Sequence, residues 1–393
     1  MSAEISDASQ SVRDLLLDKV AGIASLLNAQ IADEESKARL SKQTYSALYD
    51  SGLFRMKLPK TLGGFEADLV TQFEVLEALA KINSSAAWCT MVGATSLGLP
   101  GAFLPEAGVA KMFAGGIVPR GAVVIMPTGK AQSVTGGYKL SGSWSFASGV
   151  EHAEWVSAHV MAVAPSGTEP TLHMFSFPAS EITIHDTWHV LGLRGTGSCD
   201  ISVEDLYVPE GLTWQVGVQP PQRGGPLFQL GIPAFVAYEH AAFALGVARN
   251  ALDEFTQTAR EKKRGYGPDA SGLGDRHTVQ RFIGRSDLKL RAARQLAMAL
   301  NDQAMNSIES GVAINNQLNV ELRSVACYCT EVGAEIVAEA LRHSGAGAIY
   351  EKSNMQRYLR DINVAAQHLM VSDISYELLG KSLLGYPNVP PMG

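Results

Sequence analysis

Trp144, Phe146 and Ser148 alternate within residues 136–149, a stretch patterned as a turn, a strand and a polar-aromatic segment. Aromatic faces set beside hydroxyls suit a planar heteroaromatic ring, which needs apolar surface for its faces and hydrogen-bonding groups at its polar edge. An isoalloxazine ring, with its N5/O4 edge, is such a group. The same alternation also builds one packed face of an ordinary strand, and by pattern alone that plainer reading is the commoner one.

Other side chains that could do chemistry lie outside this stretch. His368 follows Asp361 by seven residues, which places both on one face of a helix expected over residues 353–379. His152 sits where it could contact a ligand, or pair with Glu151 or Glu154. Trp88 and Phe235 could line a pocket, although core packing is the default for such residues. Glu239 opens a helix, where a carboxylate is favoured by the helix dipole.

Several familiar motifs fail on context. Gly192, Gly195 and Gly197 form G-x-x-G-x-G without a βαβ unit, so no nicotinamide-binding domain is expected. Gly380-Lys381-Ser382 imitates the end of a phosphate loop but follows a helix and lacks the first glycine. His185 and His189 lie in a strand-like stretch, too far apart for one ion, and no G-x-S-x-G elbow exists. Cys327 and Cys329 point apart on a helix, so four reduced thiols in a cytoplasmic protein are expected, with no metal.

These residues must be held by something, and the apolar spacing divides the chain into three blocks. Residues 1–118 are patterned as helices, with a stripe of Val12, Leu15, Leu16, Val20, Ile23, Leu26 and Leu27, then helices over 41–51 and 69–82. The uncharged stretch 84–105 is broken by Gly and Pro and is expected to be a buried helix and loop, not a membrane span. Residues 119–213 switch to period two in short β-rich runs, which predicts an antiparallel β domain. Residues 214–393 return to long amphipathic helices over 242–262, 276–310 and 318–344, which predicts a four-helix bundle. Hydrophobic residues make up 46% and charged residues 18%, a globular composition. The net charge of −7 argues against nucleic-acid binding, and no signal peptide is evident.

Three segments resemble the acyl-CoA dehydrogenase superfamily, in family order. Phe146 and Ser148 stand where its Trp-x-Thr pair touches flavin. The run from Gly192 through Arg194, Thr196 and Ser198 to Pro209 is similar to the segment closing its β domain. Gly345-Ala346-Gly347, followed by Arg357, Arg360 and Asp361, resembles its C-terminal turn and Arg-Asp helix. The resemblance implies an α+β multidomain fold with an N-terminal helical domain, a central antiparallel β domain and a C-terminal four-helix bundle. It assigns Trp144, Phe146, Ser148, His152, Arg194 and Thr196 to the cofactor, and Arg264 to a flavin phosphate across a subunit boundary of a homotetramer. A solvated helix end is the alternative for Arg264.

One departure from the family bears on function. Dehydrogenases of this fold carry a catalytic Glu beyond the Arg-Asp pair, whereas residues 365–369 read Ala-Ala-Gln-His-Leu. The pattern is similar to the two-component aromatic monooxygenases, including the hydroxyphenylacetate and secosteroid-phenol hydroxylases. It implies reduced FAD or FMN and O2, a C4a-hydroperoxyflavin, a separate NAD(P)H-flavin reductase, and a small phenolic or indole-like substrate. In that scheme Ser148 serves the N5 edge and His368, with a pKa near neutrality, is the base; a buried histidine capping a helix contact is the alternative for His368. Trp88, Phe235, Glu239 and His368 would line the substrate pocket. Three alternatives remain: an acyl-CoA dehydrogenase or oxidase with Glu239 as base, an N- or S-oxygenase, and a non-enzymatic binder on the same fold.

Overall fold

The computed structural model describes residues 11–163, 169–265 and 271–392. Five helices open the chain: α1 (Val12–Lys37), α2 (Lys42–Asp50), α3 (Leu69–Ala80), α4 (Ser84–Phe103) and α5 (Glu106–Met112). Their starts are written in the sequence. Ser11, Ser41, Asp68 and Asn83 each accept a backbone N–H three residues on, satisfying an orphan donor of the first turn. By length and composition α1 could cross a membrane, yet its Leu16, Val20, Leu27 and Ile31 are buried in the protein. The expected helix and loop over 84–105 is instead one helix, buried along nearly its whole length and continuous through Pro100. Packing on every side outweighs the cost of its Gly and Pro residues.

The central block is a seven-stranded sheet: β1 (Gly121–Val134), β2 (Gly137–Ala147), β3 (Trp155–Val163), β4 (Thr171–Pro178), β5 (Thr183–His185), β6 (Cys199–Pro209) and β7 (Thr213–Gln215). The spatial order is β5-β6-β2-β1-β3-β4-β7. The expectation of a purely antiparallel sheet is corrected, because β1 and β3 pair in parallel. β2 returns beside β1 as a hairpin. The chain then crosses through a short turn, Val150–His152, to the other edge of β1. That crossing sets the parallel pair, and β7 carries the sheet past the expected limit at 213.

A two-stranded ribbon, β8 (Lys263–Arg264) with β9 (Ser271–Gly272), separates the first long helix of the C-terminal block from the second. The helices are α6 (Ala237–Glu261), α7 (His277–Glu309), α8 (Asn316–Ser344), α9 (Asn354–Ala365) and α10 (Ile374–Leu383). The final helix expected over 353–379 is thus two helices. His368 lies in the break, and its ring accepts the N–H of Met370. A side chain that bonds nearby backbone competes with helix continuation, so His368 does not share a helix face with Asp361.

Candidate active site

The loop after β2 is shaped by a bulge. The β2–β6 register shifts between Trp144 and Ala147, and Phe146 adopts φ 67°. Bulges re-aim side chains, and a non-glycine residue in that region marks an enforced conformation. Phe146 is thereby turned outward, 66% exposed, with its edge on the Trp188 ring at 6.2 Å. Trp144 points the other way. It is 1% exposed and its Nε1 donates to the His159 carbonyl at 2.9 Å, so it is a core residue of the sheet, not a cofactor contact.

Ser148 lies just beyond the bulge, buried, with its Oγ 2.7 Å from Ser198 Oγ. Ser198 in turn contacts Thr196 Oγ1 at 2.6 Å. Trp88, on α4, donates its indole N–H to Ser148 at 3.2 Å. Its ring meets Phe243, His240 and His368 edge-on at 5.3, 5.5 and 5.8 Å. Trp88 therefore joins two walls, one of hydroxyls and one of imidazoles.

His240 and His368 stack with ring centroids 4.3 Å apart. Burial holds the His368 imidazolium down to about 4, and pushes His240 well below its ordinary value with help from His368 and Lys57. Both rings are neutral at physiological pH, which corrects the expectation of a near-neutral pKa for His368. With its Nδ1 accepting from Met370, neutral His368 carries its proton on Nε2.

Glu239 precedes His240 and is not a solvated helix-start carboxylate. It is buried against Lys57, with Nζ 3.0 Å from Oε1 in an ion-pair contact. Lys57 also donates to Thr95 Oγ1 at 3.0 Å and to the Phe235 carbonyl at 2.8 Å, and lies over the Phe235 ring. Burial raises the Glu239 carboxyl and lowers the Lys57 ammonium, each opposed by the partner's charge. A carboxylate engaged in this way is poorly placed to abstract a substrate proton. Phe235 is likewise 3% exposed and packs on Phe228.

The remaining candidates fall outside this cluster or support it. His152 binds the Leu40 carbonyl through Nε2 at 3.0 Å and stacks on Tyr45 at 4.4 Å, and burial lowers its pKa. Its expected partners are taken elsewhere, Glu151 by Arg39 and Glu154 by Arg120. Arg194 opens a turn beside Thr196 and is half-buried. The side chain of Arg264 lies outside the described residues. Asp361 accepts from Leu193 N–H at 2.7 Å and from Ser84, and Arg360 reaches the Leu191 carbonyl at 2.7 Å and Glu35. Gly192 permits this contact, since a Cβ there would fall 2.3 Å from the Arg360 backbone. One cleft of about 300 Å³, lined by Lys111, Tyr207 and Leu212 among others, lies away from these residues.

Sequence reasoning missed Ser198, His240 and Lys57. A signal existed for two of them: Lys57 is flanked by the apolar Met56 and Leu58, and His240 adjoins Glu239 in an otherwise apolar helix start. Ser198 had none beyond its place in a glycine-rich turn.

An outward aromatic on an enforced bulge, next to buried hydroxyls, fits the face and edge of a flavin ring. Helices, a sheet and helices in this order make up the three-block architecture that holds these residues. Residues 3–104 match the model described as acyl-CoA dehydrogenase, N-terminal domain, and 238–373 match that of its C-terminal domain. Together the matches take in more than half of the chain, which belongs to the acyl-CoA dehydrogenase family. The chain is 29% identical to an indole-3-acetate monooxygenase from Pseudomonas putida, covering 92% of each protein. It is 26% identical to the oxygenase component of an FADH2-dependent resorcinol hydroxylase from a Rhizobium species, covering 94% of each. The solved structure of XiaF from Streptomyces, in complex with FADH2 and glycerol, is 27% identical. It superposes with a TM-score of 0.87 over 96% of this chain and 97% of that one.

Proposed function

We propose that this chain is the oxygenase component of a two-component flavin-dependent monooxygenase that hydroxylates a small aromatic substrate. The observation carrying this reading is the meeting at Trp88 of a hydroxyl wall and two neutral imidazoles, with Glu239 withdrawn into an ion pair. An acyl-CoA dehydrogenase needs a free carboxylate base. Here the buried carboxylates Glu239 and Asp361 are both engaged. Reduced flavin, once bound, supplies oxygen activation, and the protein supplies binding, orientation and exclusion of water.

In this reading Phe146 covers a face of the flavin ring, and Ser148 meets its polar edge. Thr196 supports Ser148 through Ser198. The pocket for the aromatic ring is bounded by Trp88, His240 and His368. Neutral His368 presents Nε2–H, which suits donation to a phenolic oxygen; accepting the phenolic proton at that nitrogen requires the other tautomer. The cofactor is reduced FAD or FMN, delivered by a separate NAD(P)H-flavin reductase. The working form is a cytoplasmic homotetramer, supported by the exposed Leu288 and Leu296 of α7 and Leu383 and Leu384 at the end of α10.

The test supplies chemically reduced flavin and oxygen with a panel of phenols and indoles. Hydroxylated product, with less hydrogen peroxide than in the substrate-free control, is expected. Flavin reduction by an acyl-CoA under anaerobic conditions would overturn the proposal. Replacing His368 with Asn is expected to lower kcat on a phenol about a hundredfold, the lower range for lost acid–base assistance.

A further inference from the structure

Four hydrogen bonds run end to end behind the bulged loop. Trp88 Nε1 meets Ser148 Oγ at 3.2 Å, and Ser148 meets Ser198 at 2.7 Å. Ser198 meets Thr196 at 2.6 Å, and Thr196 meets the Leu193 carbonyl at 2.9 Å. An indole N–H only donates, a carbonyl only accepts, and each hydroxyl owns one hydrogen. Four hydrogens therefore serve four links, and they can do so in one direction only. Trp88 donates to Ser148, Ser148 to Ser198, Ser198 to Thr196, and Thr196 to Leu193. All three hydroxyl residues are buried, at 6%, 2% and 1% exposure for Ser148, Ser198 and Thr196, so water does not scramble the order.

The consequence falls on Ser148. Its hydrogen is committed to Ser198, and its oxygen, having accepted one bond from Trp88, keeps one lone pair. Ser148 thus offers an acceptor to anything that approaches it. An oxidised isoalloxazine has a bare lone pair at N5, whereas the two-electron-reduced ring carries N5–H. We propose that Ser198 and Thr196 are positioning residues that polarise Ser148, so that the site prefers reduced flavin to oxidised flavin. This rests on the reading above that Ser148 faces the flavin's polar edge.

For Ser148 to donate outward instead, Ser198 must turn its hydrogen to Ser148 and Thr196 must turn its own to Ser198. That reversal breaks the Thr196–Leu193 bond, although Leu193 keeps a bond from Trp188 Nε1 at 3.2 Å. One buried neutral hydrogen bond, at about 1 kcal/mol, corresponds to about a fivefold preference. Thr196→Val removes the acceptor for Ser198, whose hydrogen then turns to Ser148 and fills its remaining lone pair. Ser198→Ala strands the Ser148 hydrogen when N5–H approaches and releases it when a bare N5 does. Both variants are predicted to shift selectivity the same way.

The experiment measures dissociation constants of oxidised and anaerobically reduced FAD and FMN on the full-length protein. Wild type is expected to bind the reduced form tighter. Thr196→Val and Ser198→Ala are each expected to narrow the reduced-to-oxidised ratio about fivefold, while Thr196→Ser, which restores the hydroxyl, keeps the wild-type ratio. Tight binding by both variants with an unchanged ratio overturns the relay and leaves the flavin site standing. Wild-type protein that binds neither redox form overturns the relay and the flavin reading together. Should Thr196→Val not fold, Ser198→Ala carries the same decision.

Discussion

The two walls that meet at Trp88 solve the problem of buried polarity differently. The hydroxyl wall of Ser148, Ser198 and Thr196 is neutral, and every hydrogen in it has a partner. The wall of His240, His368, Glu239 and Lys57 is titratable and held in place by an ion pair and ring stacking. Buried neutral networks, when satisfied, do not respond to pH. Buried ionisable groups keep their place only while their charge states are matched. The first wall is therefore built for fixed polarity, and the second carries the pH sensitivity of the site.

The harshest way to break that contrast is to remove half of the ion pair. Lys57→Met leaves Glu239 buried without a cation and is expected to lower unfolding free energy by about 3–5 kcal/mol in denaturant titration. The double variant Lys57→Met/Glu239→Gln is expected to recover much of the loss. Equal instability of the single and double variants would show that packing, not charge matching, holds this wall.

Acid probes the same wall more gently. The His368 pKa lies at about 4 in the folded protein against an ordinary 6.5, so between those values the unfolded chain binds the extra proton. Stability is therefore retained above pH about 6.5 and lost as pH falls towards about 4. The loss is up to roughly 3 kcal/mol from this ring, and His240 shifts in the same direction. His368→Asn is expected to flatten that slope, as read from melting temperatures between pH 4 and 7.

The smallest expected effect belongs to the hydroxyl wall. Ser148→Ala deletes two buried hydrogen bonds and is expected to cost about 1–2 kcal/mol, with the acid slope unchanged. A slope altered by this substitution would mean that the walls are electrically coupled through Trp88.

The site residues differ in how far sequence alone reached them. Phe146 and Ser148 were legible because one strand segment carries both, and local alternation survives in a linear reading. Trp144 belonged to the same alternation, but the bulge after it sends its neighbours to the opposite side and leaves it in the core. His368 was found by motif and then misplaced, because periodicity cannot show that its ring caps a turn and ends the helix.

The amino-acid sequence by itself determined the order of helices, strands and helices, the caps that start α1 to α4, and the lack of a carboxylate in residues 365–369. Those features follow from spacing and residue type within a few turns of chain. Tertiary structure alone decided the parallel β1–β3 pair, the withdrawal of Glu239 by Lys57, the stacking of His240 on His368, and the polarity of the hydroxyl chain at Ser148. Each joins residues far apart in sequence. Hydrogen-bond direction and pKa depend on which partner and how much water a folded neighbourhood provides, and no local pattern encodes either.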